Sequence, residues 1–147
     1  MAATAWSFYN SFREKIGEGD FDLSGTSVGF YLALHTSAAS ALVNTKTLST
    51  QASLANEVAN GNGYTTGGAS VTSRTWASVA TDKYRFDSTA VVWTATGGTI
   101  ANIKYAVVYQ SGGKLVCFSK LTTSQFTLAE DNTLTVTPSA SGIFELA

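Results

Sequence analysis

Ser27-Val-Gly-Phe-Tyr-Leu-Ala-Leu34 carries apolar side chains at both odd and even positions. A strand sends alternate side chains to opposite faces, so a run with no polar face predicts a central strand covered on both sides. Downstream the chain reads as strands over 69–78, 84–96, 100–110, 114–122, 126–128, 134–137 and 142–146. Gly97-Gly98, Ser111-Gly112-Gly113 and Glu130-Asp131-Asn132 supply the turn chemistry between them. Thr133-Leu-Thr-Val-Thr137 alternates cleanly, which puts Leu134 and Val136 on a core and the threonines outside. The only proline, Pro138, fits the end of that strand. Seven or eight short strands with turns between them predict a mainly antiparallel β-sandwich or a partly closed barrel.

Upstream of the central strand the pattern changes period. Phe8, Phe12 and Ile16 recur every four residues with Tyr9 beside them, which predicts a helix over 5–16. Thr4 is placed to cap its start, and Gly17 to end it in a left-handed conformation with Lys15 in the last turn. Trp6 falls off the apolar stripe. Leu48, Ala52, Ala55, Val58 and Ala59 sit at helical spacings and suggest a second short helix near 48–60. The run from Asn60 to Gly68 then breaks regular structure. The expected organisation is one β-rich domain over 1–147, with the amino-terminal helix in 1–17 and the sandwich in 18–147.

Composition bounds the function. A chain of 147 residues can bury roughly 70% of the surface its unfolded form exposes, so it needs no disulfide or metal to hold a core. Only 13% of its residues are charged, against about 25% in an average soluble domain. Such a surface repels its neighbours weakly and suits close packing, although Thr-rich strands alone give a similar composition. Nine Lys and Arg residues are scattered singly and the net charge is −1, so the chain lacks the basic footprint of a nucleic-acid binder. The single cysteine, Cys117, lies in Lys114-Leu-Val-Cys-Phe118 and is expected to act as a small buried hydrophobe. Met1-Ala-Ala-Thr-Ala-Trp6 lacks the basic and apolar regions of a signal peptide, and no apolar run approaches the ~18 residues of a membrane helix. A protein that is made in the cytoplasm and does not enter a membrane is expected.

Catalytic patterns are missing where they would have to be. A Ser-His-Asp or Cys-His arrangement must use His35, the only histidine, and no Gly-x-Ser-x-Gly elbow accompanies it. Its expected role is a strand-end hydrogen bond. One Cys and one His cannot make a zinc site within one chain. Asp20-Phe-Asp22-Leu-Ser24-Gly25 matches the opening of an EF-hand loop, but the position that needs a bidentate Glu is Tyr31. That leaves either a polar turn or a different cation site using Asp20 and Asp22. The glycines from Gly61 to Gly68 lack the Lys of a phosphate loop and predict a surface loop at positive φ. The ten acids, among them Asp82, Asp87, Glu130 and Asp131, fall mostly in turns. No catalytic residue, cofactor or metal ligand is expected, and the chain is read as a non-enzyme.

Aromatic residues are the remaining signal. Trp93, in Val91-Val-Trp-Thr94, has a strand-core pattern, whereas Trp6 is an interface candidate. Trp76 beside Arg74 would suit a sugar-binding platform.

The order of these pieces resembles a family. It comprises a short amino-terminal helix, a Val-x-x-Tyr-Leu-Ala-Leu strand ending in a Thr-Ser pair, and Glu57-Val-Ala-Asn-Gly-Asn-Gly-Tyr-Thr-Thr-Gly-Gly68. A Val-Val-Trp strand, an Ala-Val-Val-Tyr strand and a final Gly-Ile-Phe-x-Leu strand follow. Over nearly its whole length the chain resembles small virion structural proteins of tailed bacteriophages. The resemblance implies a capsid- or tail-associated part of the virion, assembled in the host cytoplasm, with no catalytic residue to carry over. The leading expectation is a capsid decoration, or cement, protein that binds the major capsid protein as a homo-oligomer, a trimer being favoured. The alternatives are a tail or head-to-tail connector component and a carbohydrate-binding β-sandwich. The amino-terminal helix and the glycine-rich loop are the expected contact surfaces, through Trp6, Phe8, Tyr9, Phe12, Tyr64, Gly67 and Gly68.

Overall fold

The structure is a computed structural model and describes residues 5–39 and 46–147. It is mostly β, with one short helix and antiparallel sheets that do not close into a barrel. The strands are β1 (Ser7–Phe8), β2 (Phe30–His35), β3 (Ala69–Ser70), β4 (Thr75–Ala80), β5 (Lys83–Asp87) and β6 (Val91–Thr94). They continue with β7 (Ile100–Ile103), β8 (Tyr105–Gln110), β9 (Lys114–Lys120), β10 (Phe126–Leu128), β11 (Thr133–Val136) and β12 (Phe144–Leu146). A five-stranded sheet has the order β1-β9-β8-β2-β3, a three-stranded sheet the order β12-β5-β4, and β10-β7 and β11-β6 form two ribbons.

The five-stranded sheet is the middle layer, as the two-faced apolar run at its centre requires. Phe30, Leu32 and Leu34 of β2 and Ala106 and Val108 of β8 join one apolar cluster, with Phe86, Val91, Trp93, Ile100, Leu134 and Phe144 from the other sheets. Tyr31, Ala33, Tyr105, Val107 and Tyr109 point the other way into a second cluster, closed by Tyr9, Ala39 and Leu54. In β9, Cys117 lies opposite Val108 and Leu115 opposite Tyr109, so Val116 is one residue too many. That bulge lets Val116 and Cys117 both face the first cluster while Leu115 and Phe118 face the second. Cys117 is fully buried, and burial pushes its thiol well above the usual range.

The expected strands over 69–78, 84–96 and 100–110 are each divided. The third divides at Lys104, whose N–H donates to His35 O and whose carbonyl accepts from Leu121 N, so the chain changes sheets there.

The helix α1 (Asn10–Gly17) starts later than the periodicity predicts, because Ser7 and Phe8 pair with Phe118 and Cys117 of β9 instead. Tyr9, extended at ψ 149°, precedes its first turn without a side-chain cap, and the cap expected of Thr4 lies outside the described residues. Gly17 remains helical, and the left-handed position falls on Gly19 at φ 78°. The second expected helix reduces to one 3₁₀ turn, Gln51–Ser53. Beyond it Asn56 turns left-handed at φ 61°, and the chain runs extended beside β2.

Candidate functional site

β3 pairs with only two residues of β2, Tyr31 and Leu32. The rest of that edge of β2 would be left with free backbone groups, which cost free energy when buried. The segment 56–68 closes it without forming a strand. Val58 N–H donates to Leu34 O at 2.9 Å, and Thr36 N–H donates to Asn56 O at 3.0 Å. The Leu34 N–H donates to the hydroxyl oxygen of Tyr64 at 3.0 Å. That hydroxyl in turn donates to Glu57 Oε1 at 2.6 Å. The same oxygen accepts the Gly67 N–H at 2.6 Å, and Oε2 accepts Gln51 Nε2 at 3.2 Å. Tyr109 donates to Gly67 O at 2.5 Å from the far side. One carboxylate therefore holds both ends of its own loop, and Tyr64 is 2% exposed beneath it. Burial and the Glu57 hydrogen bond push the Tyr64 hydroxyl far above the ordinary tyrosine range, so it stays protonated and keeps donating.

The glycines of this segment have a spatial cause. A Cβ on Gly68 would lie 2.0 Å from Leu32 O and 2.6 Å from Ala33 Cα, and one on Gly63 would lie 2.0 Å from Thr94 O. Both residues hold positive φ, 77° and 92°. Glycine alone lets the loop lie flush against β2 and the turn after β6.

A second pin holds the Asp20–Gly25 turn. Gln110, 4% exposed at the end of β8, donates from Nε2 to Asp20 O and accepts the Asp22 N–H, both at 3.1 Å. Asp22 folds back on its own turn, where it accepts the Gly25 N–H at 2.7 Å and the Ser27 hydroxyl at 3.1 Å. A Cβ on Gly25 would collide with that carboxylate at 1.8 Å, so the EF-hand-like glycine makes room for a turn-forming aspartate. Asp20 instead faces Lys114 at 3.4 Å. Among the described residues no three His, Cys, Asp or Glu side chains are grouped to hold a metal ion. No helix of the described residues is long and apolar enough to cross a membrane.

His35 is fully buried, with Nδ1 at 3.3 Å from Ala55 O and Nε2 without a hydrogen-bond partner. Desolvation lowers its pKa, so the ring is neutral near pH 7. It lines neither the cavity beside Phe21 and Lys114 nor the groove beside Phe8 and Phe144. The groove, of about 460 Å³, runs between Trp6, Phe8, Ser139, Ile143 and Phe144, and its one titratable side chain, Glu145, is bound by Arg85 at 2.7 Å.

The residues expected to meet a partner separate into two groups. Tyr9, Phe12 and Tyr64 are inside the chain, at 0%, 1% and 2% exposure, which corrects their assignment to a contact surface. The helix stripe is consumed by the chain's own sheet: Phe12 stacks on Phe8 at 5.4 Å and meets Phe144 edge-on at 5.3 Å. Trp6 is half-buried rather than free, with its Nε1 sealed from solvent, yet it and Phe8 still line the groove. Gly67 and Gly68 are half-buried in the pinned loop. Arg74 does not join Trp76 in a sugar platform. Its guanidinium donates to Gly25 O at 3.0 Å and lies 4.8 Å over the Phe30 ring.

Sequence reasoning missed Glu57 and Gln110. Glu57 left a signal, being the only charged residue between Lys46 and Arg74. A lone carboxylate in so long a neutral stretch marks a position that some buried donor needs. Comparison with known protein families, curated proteins and solved structures finds no match for this chain.

Proposed function

We propose that the chain is a non-catalytic structural part of a tailed-bacteriophage virion, most specifically a capsid decoration protein that binds the major capsid protein. One observation carries this beyond the sequence resemblance. The segment Glu57–Gly68, the most specific part of that resemblance, is spent on closing the edge of β2 and stiffening the central sheet. A virion part of this kind needs a rigid body with neutral surfaces, and three perturbed titratable groups of this chain are consistent with that rigidity. Tyr64, Cys117 and His35 are all locked in the interior.

The test is location and copy number. Quantitative mass spectrometry and cryo-electron microscopy of purified particles encoding the chain should find it on the outer shell, in hundreds of copies. A few to dozens of copies at the tail or portal would replace decoration by a connector role. Absence from the particle would end the virion proposal altogether.

A further inference from the structure

The sheets of this chain end on edges that are protected unequally. The five-stranded sheet ends on β1 and β3, two residues each, and the three-stranded sheet ends on one side at β12, three residues carrying Glu145. Short or charged edges offer little to a passing strand, which is a common protection against unwanted pairing. β4 lacks that protection. It runs for six residues, pairs among the described strands only with β5, and reads Thr75-Trp-Ala-Ser-Val-Ala80, without Lys, Pro or any charge. Its one irregularity, between Ser78 and Ala80, lies toward the hairpin tip and leaves Thr75 to Ser78 in regular register.

The side chains beside this edge are open as well. The large apolar residues exposed among the described residues are Val79 (41%), Tyr84 (47%), Val92 (53%) and Leu146 (37%). All but Val92 stand on the three-stranded sheet. Tyr84 lies opposite both Ser78 and Leu146, and its ring is 5.5 Å from that of Trp76. An apolar face thus begins at buried Phe86 and Phe144 and continues outward onto Trp76, Tyr84 and Leu146.

Charge selects the occupant. The cations of this sheet are already engaged within the chain, Lys83 and Arg85 both binding Glu145, at 3.2 and 2.7 Å. What remains on β4 itself is neutral, and the acids near it, Asp82 and Asp87, lie at the ends of the hairpin, so a polyanion finds nothing complementary along the strand. A neutral extended strand does, and a second copy of the chain brings one. Two such edges meet without like charges opposed, on a molecule whose net charge is only −1.

We propose that two copies of the chain pair β4 with β4, antiparallel across a two-fold axis. The two three-stranded sheets then become one sheet of six strands, with Trp76, Tyr84 and Leu146 of both copies on its apolar side. Identical edges meeting in this way use the same residues on both partners, which is the geometry of a two-fold dimer and not of the trimer favoured on sequence grounds. The dimer goes beyond the virion role and stands whatever the outer partner is. A strand pair of this size falls below the roughly 800 Å² per partner of a standard interface, so the dimer dissociates on dilution.

Sedimentation velocity on the full chain, from low micromolar to near-millimolar protein, tests this. The wild type is expected to shift from monomer to dimer. Ala77→Lys with Val79→Lys, both at exposed positions, should stay monomeric with an unchanged far-ultraviolet circular dichroism spectrum and melting temperature. Should that variant not fold, Ser78→Cys decides: mild oxidation should give a disulfide-linked dimer, since Cys117 is fully buried and does not compete. A wild type monomeric throughout, a trimer, a dimer that survives the two lysines, or a Ser78→Cys chain that oxidises without cross-linking would overturn the proposal. Loss of particle binding with the dimer intact would count against the virion role alone.

Discussion

β2 and β4 each carry an edge that the chain's own strands do not fully pair, and the two are treated in opposite ways. On β2 the missing partner is replaced piece by piece: β3 for two residues, then the Tyr64 hydroxyl, then Val58 and Asn56, with Gly68 laid against Leu32 and Ala33. On β4 nothing among the described residues replaces it, and five of its six residues are exposed. The irregular segment is therefore the pinned one, and the regular hairpin is the open one. Backbone regularity reports local hydrogen bonding, whereas anchoring depends on what lies behind the backbone. The two need not coincide.

The sharpest way to break this contrast is to pry the pinned edge open. Gly68→Ala places a Cβ into Leu32 O and Ala33 Cα and asks alanine for φ near 77°, with rigid backbone as the obstacle. It should cost about 4 kcal/mol or more, a large share of the stability of an ordinary domain. Urea titration, or failure to accumulate as soluble protein, would register it. A cost under about 1 kcal/mol would mean that the loop can lift off β2 and that the edge is not closed by contact. Tyr64→Phe is the gentler probe. It leaves the Leu34 N–H without its acceptor and removes one donor to Glu57, at a cost of about 2 kcal/mol in the same titration. If phenylalanine is tolerated without loss, the hydroxyl is incidental and the glycines alone hold the loop.

The two edges also differ in how far they are legible in the sequence. The two-faced run in β2 announces a buried central strand, and the alternation in β11 places Leu134 and Val136 on the core, where they are 4% and 1% exposed. The side-chain closure of β2 is not announced, because Glu57 and Tyr64 pair across a loop and no periodicity links them. The expected helix near 48–60 fails for a related reason. Of the residues at its helical spacings, only Val58 is buried, while Ala52, Ala55 and Ala59 are exposed, so the small residues at those spacings cover no common face. The left-handed Asn56 and the ladder to β2 decide for the extended form. The amino-terminal aromatics mislead in the opposite sense. Phe8, Tyr9 and Phe12 read as a stripe in search of a partner, and the partner is the edge formed by β9. Exposure on β4 is equally hidden, since Thr75-Trp-Ala-Ser-Val-Ala80 has the composition of a covered strand.

Acid should weaken the pinned region before the hairpin. His35 sits beside Ala55 and Glu57 with its ring desolvated, so its folded pKa lies below the unfolded value of about 6.5. Above pH 6.5 both states are neutral and His35 contributes no pH dependence. As the pH falls through 6.5 toward the folded pKa, the unfolded chain binds a proton that the folded chain does not. Stability then drops by up to about 1.4 kcal/mol per pH unit. Denaturation midpoints measured between pH 7.5 and 5 should show this slope in the wild type and lose it in His35→Gln. An equal slope in both would assign the acid response to groups other than His35; Glu145 is not one of them, because its carboxyl is held low by Arg85 and Lys83 and titrates below this window.

The smallest effect belongs to the open edge, and its smallness is the informative part. Val79 is a large apolar residue in a regular hairpin, and by composition alone its loss should matter. At 41% exposure, on a strand paired along one edge, it has little within its own chain to lose contact with. Val79→Ser should therefore change the unfolding free energy of the dilute monomer by no more than about 0.5 kcal/mol, the range of ordinary surface substitutions. Val58→Ser, 3% exposed on the pinned segment, should cost about 2 kcal/mol or more under the same conditions, since it buries a hydroxyl where a methyl packed. Equal costs at the two sites would show that the hairpin is packed in solution at concentrations where the chain is alone, and the division between a closed edge and an open one would collapse. Unequal costs in dilute solution that converge as the protein is concentrated would be sharper still, because the only thing concentration adds is another copy of the chain.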